Sequence, residues 1–179
     1  VLNLPADERI AAVVPVREFS DDKYLMFVTR KGVVKKTALS AYGNVRSVGL
    51  NAINTREGDE LIDVQITDGQ SEIVLATRDG MAIRFSEEDA RPMGRATEGV
   101  RGIDLVGDDV VVGMVVVLPG STLLVVSENG MGKRTDVEAY RLQRRGGRGV
   151  INLNVTVKTG EVVAFKAVTE DVQLMVITR

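Results

Sequence analysis

The residues with the clearest chemical potential form a short run of arginines and glycines. An arginine guanidinium is a planar fork that meets phosphate oxygens two at a time. Glycine lets the backbone come close to a ligand and frees N–H groups to face anionic oxygens. The run contains no aromatic side chain that could stack on bases, so we expect non-specific, salt-sensitive binding of a duplex phosphate backbone. Its residues are Gln143, Arg144, Arg145, Gly146, Gly147, Arg148 and Gly149.

Composition removes several kinds of catalytic chemistry. The 179 residues include no histidine and no cysteine, which excludes Ser-His-Asp catalysis, thiol nucleophiles and zinc sites built on His or Cys. No Gly-Lys-Ser/Thr phosphate loop is present, so we expect no ATP hydrolysis. We therefore predict no catalytic residue, no metal and no cofactor in this chain. The lack of cysteine and of a long apolar stretch fits a cytoplasmic protein without a membrane partner.

Tyrosines and acidic pairs are the remaining candidates for chemistry. Tyr42 and Tyr140 each lie ten residues after a repeated glycine, so we interpret them as structural features of a repeat, and Tyr24 as the first residue of a strand. The acidic pairs occur at turn positions, and we expect structural roles there rather than metal binding. These pairs are Asp21/Asp22, Asp59/Glu60 and Asp108/Asp109.

A repeat of about fifty residues must position these groups. Thr29-Arg30-Lys31-Gly32 recurs as Thr77-Arg78-Asp79-Gly80 and as Ser127-Glu128-Asn129-Gly130, and a fourth copy starts at Thr178-Arg179. A period of this size indicates one supersecondary unit that is stacked several times. Such arrays present the same surface repeatedly to an extended partner. We divide residues 1–179, a single repeat domain, into units at 1–23 (half), 24–70, 71–121, 122–172 and 173–179 (first strand only).

Each unit is predicted to hold four strands. A tight two-residue hairpin turn, such as Asp79-Gly80, joins the first two. A polar loop ending in Gly49, Gly99 or Gly149 leads to the third, and an acidic turn leads to the fourth. The predicted first strands are Tyr24–Thr29, Ile73–Thr77, Thr122–Ser127 and Gln173–Thr178, and the second are Val33–Thr37, Met81–Phe85 and Met131–Thr135. The third are Val1–Leu4, Leu50–Asn54, Val100–Leu105 and Val150–Val155, and the fourth are Ile10–Val16, Leu61–Ile66, Val110–Leu118 and Val162–Val168.

This pattern predicts an all-β, propeller-like array of about three and a half to four blades. Whether the array closes into a ring or stays open is not decided by the sequence.

Charge is segregated within the unit, although the net charge is only −2. The turn before each fourth strand is acidic, whereas the loop before each third strand carries arginine. Equivalent loops of a stacked array fall along one face, so we predict a basic stripe, the electrostatic mark of a phosphate-backbone ligand. Besides the box at 143–149, the predicted DNA-binding residues are Arg46, Arg91, Arg95, Arg101 and Arg141 in loops, and Lys35, Lys36, Arg84, Lys133 and Arg134 on hairpins.

The residues also resemble a known family. Gln143–Gly149 is similar to the Gln-Arg-Arg-Gly-Gly-Lys-Gly box in the C-terminal domain of DNA gyrase A, with Arg148 in the lysine position. Further similar segments are Gly32–Thr37, Arg78–Phe85, Gly99–Ile103 and Asn129–Thr135. The resemblance implies a β-pinwheel whose blades exchange strands. It also implies wrapping of double-stranded DNA around a basic rim, which supports negative supercoiling by a type II topoisomerase.

The same resemblance implies partners and a location. These are the rest of gyrase A together with gyrase B, in an A2B2 heterotetramer, and the bacterial cytoplasm, associated with the nucleoid. The family's box sits in its first blade, whereas here it lies in the last complete unit, so the chain resembles the later blades. Two alternatives stay open: a topoisomerase IV C-terminal domain, which lacks an intact box, and a protein-binding propeller in which the arginines are incidental.

Overall fold

The chain folds into short strands joined by turns and 3-10 helices. The computed structural model describes residues 5–44 and 49–175, and within these ranges it contains no α-helix. The strands are β1 (Tyr24–Thr29), β2 (Val33–Ala38), β3 (Leu61–Thr67), β4 (Glu72–Thr77), β5 (Met81–Ser86), β6 (Val100–Arg101), β7 (Val111–Val116), β8 (Thr122–Ser127), β9 (Gly132–Asp136), β10 (Val150–Ile151) and β11 (Val162–Val168). The 3-10 helices are η1 (Leu39–Tyr42), η2 (Glu87–Asp89) and η3 (Val137–Ala139). The all-β prediction is confirmed.

The strands form three antiparallel sheets in which neighbouring units exchange a strand. The strand orders are β3-β1-β2-β6, β10-β5-β4-β7 and β11-β8-β9. β6 belongs to the second unit in sequence but pairs with β2 of the first unit, and β10 of the third unit pairs with β5 of the second. A sequence unit is therefore not a sheet, because each third strand lies in the sheet of the preceding unit.

Glycines make this exchange possible by bringing two backbones together. Gly99 and Gly149 precede the exchanged strands and have φ of +105° and +79°. A Cβ on Gly99 would lie 2.4 Å from the Val34 carbonyl oxygen, and one on Gly149 would lie 2.1 Å from that of Ala82. Real Cβ atoms do not approach carbonyl oxygens this closely, so no other residue fits without moving the backbone.

The hydrophobic core lies between neighbouring sheets. One cluster joins Met26 and Val34 of the first sheet to Leu75 and Phe85 of the second, and another joins the second sheet to Val125 and its neighbours in the third. The central β4 is buried on both faces, since residues 73–76 have no exposed area. Burial of one such aliphatic side chain stabilises the folded state by roughly 1.5–3 kcal/mol. A strand that is buried on both faces gains this stabilisation at every position, which explains why such strands are continuous apolar runs in the sequence.

Two predicted DNA-binding cations instead tie neighbouring units together. The Lys36 ammonium lies 3.1 Å from the Glu87 carboxylate, and both side chains are buried. The Arg84 guanidinium donates to the carbonyl oxygens of Val137 and Tyr140, both at 3.1 Å, and pairs with Glu138 at 3.3 Å. Each cation therefore reaches from a second strand into the 3-10 segment of the next unit. The prediction that Lys36 and Arg84 contact DNA is wrong, because their charged groups are already satisfied inside the protein.

Lys35 is a third predicted DNA contact that the structure buries. Its side chain has no exposed area, and its ammonium donates to the carbonyl oxygens of Ala52, at 2.6 Å, and Arg95. Burial, with the nearby Arg95 guanidinium, lowers the pKa of Lys35 from 10.5 to about 8. Lys35 supports the loop that carries Arg95 and is not available to a phosphate.

Several predicted element boundaries are wrong for identifiable reasons. The third strands β6 and β10 have only two residues, because the chain then bends around a hairpin glycine. Gly102 N and Ile103 N both donate to the Gly32 carbonyl, and Asn152 N and Leu153 N repeat this at Gly80. The segments 50–54 and 10–16 contain no strand. The predicted strands at 1–4 and 173–178 lie wholly or partly outside the described residues, and residues 173–175 are not in a strand.

The hairpin turns also differ from the prediction. Arg30–Gly32 and Arg78–Gly80 form three-residue loops, in which the glycine N–H donates to Thr29 O and Thr77 O. Only glycines have positive φ among the described residues, so Asp79 and Asn129 do not adopt the conformation that a two-residue turn needs.

Gly149→Ala tests the close approach between exchanged backbones. We expect a loss of about 3 kcal/mol or more in the free energy of unfolding, measured by urea denaturation, because both the positive φ and the carbonyl contact become strained. Gly120→Ala is the matched control, since Gly120 has φ +73° but no atom within 4 Å of its added Cβ. The control isolates the φ cost, about 1 kcal/mol. Equal losses in the two variants would contradict the contact.

Lys35→Met tests the buried ammonium through the pH dependence of stability. The unfolded chain holds the Lys35 proton up to about pH 10.5 and the folded protein only up to about pH 8, so the native protein should become more stable as pH rises through this window. Between pH 7.5 and 9.5 we expect Lys35 to contribute an increase of about 2 kcal/mol. Urea denaturation should show that Lys35→Met removes this increase. An unchanged pH profile would contradict the assignment.

Candidate nucleic-acid interface

The basic loops occupy equivalent places in successive sheets. Each loop runs along the side of a second strand that faces away from the first strand. Met93 N donates to Lys36 O at 2.8 Å, and, fifty residues later, Gln143 N donates to Arg84 O at 3.0 Å. Strand exchange therefore brings the loop of Arg91 and Arg95 onto the first sheet and the loop at 141–148 onto the second in the same way.

The acidic turns lie at the hairpin tips instead. Asp59 Oδ1 accepts the backbone N–H of Lys31 at 2.9 Å, and Asp109 Oδ1 accepts that of Asp79 at 3.0 Å. These carboxylates satisfy turn amides, which is the structural role that the sequence predicts for Asp59 and Asp109. Among the described residues, no group of three or more His, Cys, Asp or Glu side chains is arranged to hold a metal ion.

Within the box at 143–149, the backbone is fastened to the preceding unit. Gly146 N donates to Gly102 O at 2.6 Å, and Gly147 O accepts from Asp104 N at 2.9 Å. The Gln143 side chain packs beneath the loop, where its Oε1 would lie 3.3 Å from a Cβ on Gly147. Gly147 and Gly149 thus serve close packing, and the Gly146 N–H is already bound to a carbonyl.

The three box arginines differ in their surroundings. Arg145 is half-buried, with Nε donating to Asp89 O at 2.8 Å and a terminal nitrogen to Arg101 O at 3.0 Å. Arg144 is exposed, and no hydrogen bond or ion pair joins its side chain to another described residue. Arg148 is also exposed, with its Nε 3.7 Å from the Asp104 carboxylate. Arg144 and Arg148 are therefore the accessible cations of the box.

Arg101 joins this group from the exchanged strand of the second unit. Its side chain is exposed and lies 3.4 Å from Asp104, and its backbone carbonyl accepts from Arg145. The structure thus brings Arg101 and Arg148 together around a single carboxylate, with Arg144 on the same loop. Arg91 and Arg141 are exposed at equivalent positions of the two loops, and Arg95, which is equivalent to Arg145, is half-buried like it.

Two further predicted site residues lie on the third sheet. Lys133 and Arg134 are exposed on β9, and Lys133 donates to Asn152 O at 3.3 Å. Arg134 is equivalent to Arg84 and Lys36, but no following unit covers it within the described residues. Arg46 lies outside the described residues.

The tyrosines are structural where the structure describes them. Tyr42 OH donates to Ala52 O at 3.0 Å and Tyr140 OH to Asn152 Oδ1 at 2.6 Å. Burial raises the pKa of both hydroxyls. The Lys36 ammonium lies over the Tyr24 ring, 4.5 Å from the centroid of the ring.

Sequence reasoning missed the acidic partners within the basic region. Asp89 Oδ2 accepts the backbone N–H of Arg145 at 3.2 Å, and Asp104 pairs with Arg101 and Arg148. The useful signal was their position relative to the repeat, since Asp104 lies three residues after Arg101 and Asp89 replaces Ala41 of the first unit.

Within residues 5–44 and 49–175, none of the helices has the length and the apolar character that a membrane span needs.

Comparison with known proteins agrees with this architecture. A family model described as the DNA gyrase C-terminal domain, beta-propeller, matches residues 23–68, 71–118 and 121–169. The A subunit of DNA gyrase from Deinococcus deserti is 50% identical over 98% of this chain, which spans 22% of that protein.

Two solved structures share the fold. The C-terminal domain of a DNA topoisomerase IV matches with a TM-score of 0.86 and 29% identity, over 93% of this chain and 53% of that one. A DNA gyrase A C-terminal domain matches with a TM-score of 0.82 and 28% identity, over 95% of this chain and 57% of that one. The chain spans about a fifth of its curated relative and about half of these solved domains. On the match of the family model to three successive units, the chain belongs to the family of DNA gyrase C-terminal domains with the β-propeller fold.

Proposed function

We propose that this chain binds duplex DNA without sequence preference and bends it along the basic loops, as the DNA-wrapping part of a gyrase. The observation that carries the proposal is the pair of exposed arginines, Arg101 and Arg148, which meet around Asp104 where two units exchange a strand, with the exposed Arg144 on the same loop as Arg148. Family membership supports the same ligand. The chemistry of cutting and rejoining DNA belongs to other parts of a type II topoisomerase, and this chain contributes binding.

Bending sets how many contacts the surface must make. A smooth bend of 40–90° in a 20–30 base-pair site costs about 1–6 kcal/mol, so several phosphate contacts must act together. The loops of the second and third units also carry Arg91, Arg95 and Arg141. Because these loops repeat along the array, the DNA contacts several of them in succession and follows a curved path, instead of contacting one loop alone.

The alternative of a topoisomerase IV domain rests on the TM-score of 0.86. The complete box at 143–149 and the 50% identity to a gyrase A protein favour gyrase. In a whole enzyme, the partners would be the rest of gyrase A together with gyrase B. In that whole enzyme, substitution of the box arginines should reduce DNA supercoiling and leave DNA relaxation largely intact.

Arg144→Ala/Arg148→Ala tests the phosphate contacts by their salt dependence. If about five phosphates are neutralised, log K should fall with log salt at a slope of about −4.5 in a fluorescence-anisotropy titration. The double variant should lower the steepness of this slope by about 2 and weaken unrelated sequences alike. Lys158→Ala/Lys166→Ala removes two exposed lysines outside the basic loops and should leave the slope nearly unchanged. A parent protein that binds no duplex even at low salt would favour the protein-binding scaffold.

Asp104→Asn tests the carboxylate inside the basic group. Its removal frees Arg101 and Arg148 from a neighbouring negative charge, so we expect roughly 2- to 5-fold tighter duplex binding at low salt. Asp108→Asn is the matched control, because Asp108 is 94% exposed and pairs with Arg78 at a hairpin tip. Equal tightening by both variants would show an effect of net charge alone, and weaker binding by Asp104→Asn would contradict the assignment.

A further inference from the structure

Arg145 directs its guanidinium to the protein rather than to solvent. Its Nε donates to Asp89 O at 2.8 Å and a terminal nitrogen donates to Arg101 O at 3.0 Å, while its backbone N–H donates to Asp89 Oδ2 at 3.2 Å. These contacts link the loop of the third unit to both η2 and the exchanged strand β6 of the second. Arg145 thus spans the junction at which Arg101 and Arg148 meet around Asp104.

The residues that Arg145 holds are the ones that shape the basic group. Arg101 O accepts from Arg145, and the next residue, Gly102, accepts from Gly146 N at 2.6 Å. Asp104 N then donates to Gly147 O at 2.9 Å. A planar guanidinium can reach two carbonyl oxygens in fixed directions at once, which a lysine ammonium on a flexible stem does less well.

Comparison of the two loops shows why the third unit needs this arrangement. The loop of Arg95 is held from below by the Lys35 ammonium, which donates to Arg95 O. At the position equivalent to Lys35, the second unit has Ile83, which offers no donor and packs beneath Gly147. At the position equivalent to Asp89, the first unit has Ala41. The two loops are therefore fixed by different groups at the same place in the repeat.

We propose that Arg145 is a positioning residue, which together with Asp89 fixes the box loop so that Arg144 and Arg148 stand beside Arg101 for a phosphate backbone. This inference rests on the proposed function and assigns different roles to the arginines of the box. Arg144 and Arg148 are the phosphate ligands. Arg145 acts through the loop.

Charge-conserving substitutions separate the two roles. Arg145→Lys keeps the charge but cannot hold both carbonyls, so we expect about tenfold weaker binding of a 40 base-pair duplex at 100 mM salt, with the salt slope reduced by less than one. Arg30→Lys is the matched control, because Arg30 is an exposed arginine at a hairpin tip that pairs with Glu60 outside the basic loops, and it should bind within about twofold of the parent. If Arg145→Lys also stays within twofold, or if Arg145→Ala only lowers the slope as Arg144→Ala does, Arg145 is a phosphate ligand and the proposal is wrong.

Removal of Asp89 gives a second test in which charge and positioning predict opposite signs. Asp89→Ala and Glu88→Ala each remove one negative charge, and Glu88 is an exposed neighbour whose side chain forms no hydrogen bond or ion pair with another described residue. Simple electrostatics predicts tighter DNA binding for both. Our proposal predicts weaker binding for Asp89→Ala, together with faster amide hydrogen exchange at Gly146. Tighter binding with unchanged exchange would overturn it.

These measurements keep the inference apart from the proposed function. If the parent protein binds no duplex at low salt, the function fails, and amide exchange at Gly146 in Arg145→Lys still tests the structural half of the inference. If the parent binds and the Arg144 and Arg148 variants lower the slope as expected, the function stands. The Arg145 and Asp89 variants then decide the inference alone. Thermal melts confirm that each variant is folded at the binding temperature.

Discussion

The exchange of a two-residue strand between neighbouring units is the constraint on which the rest of the structure depends. β6 and β10 pair with the second strand of the preceding unit, and Gly99 and Gly149 allow the backbones to approach closely enough for this pairing. The loop that leads into each exchanged strand must then lie across the junction between two units. Because those loops carry the arginines, the fold itself places positive charge at every junction that the structure describes.

The same repeat position can serve packing or binding, depending on what covers it. Lys36 and Arg84 are buried because the 3-10 segment of the next unit supplies carboxylate and carbonyl partners, whereas the equivalent Arg134 is exposed. A buried cation that lost its partner would be strongly destabilising, so these pairs serve the fold rather than DNA binding. The exposed Arg144 and Arg148, by contrast, present their charge to solvent, where a phosphate can reach it. A net charge of −2 hides this division.

The sequence predicted the repeat, the all-β class and most of the first, second and fourth strands well, since apolar runs and punctuating glycines depend on local chemistry. It could not predict that the third strands stop after two residues, because the hydrogen bonds that bend the chain at Gly102 and Asn152 come from a hairpin far away in sequence. It also placed Lys35, Lys36 and Arg84 on the binding surface, since burial by a neighbouring unit leaves no mark in the strand itself. Within the box, composition identified the arginines but not the carbonyl partners that distinguish Arg145 from Arg144.

Bending of DNA along the array requires that basic loops from different units contact the same stretch of duplex. The chain has no cysteine, so single cysteines can carry a DNA-cleaving iron chelate at Pro92→Cys and Leu142→Cys, equivalent exposed positions in successive loops. Val157→Cys, 99% exposed at a hairpin tip, serves as the reference. The account predicts that chelates at 92 and 142 both cleave bound duplex, at sites displaced from each other, and that the chelate at 157 does not. Cleavage from 157 equal to that from 92 and 142 would contradict it.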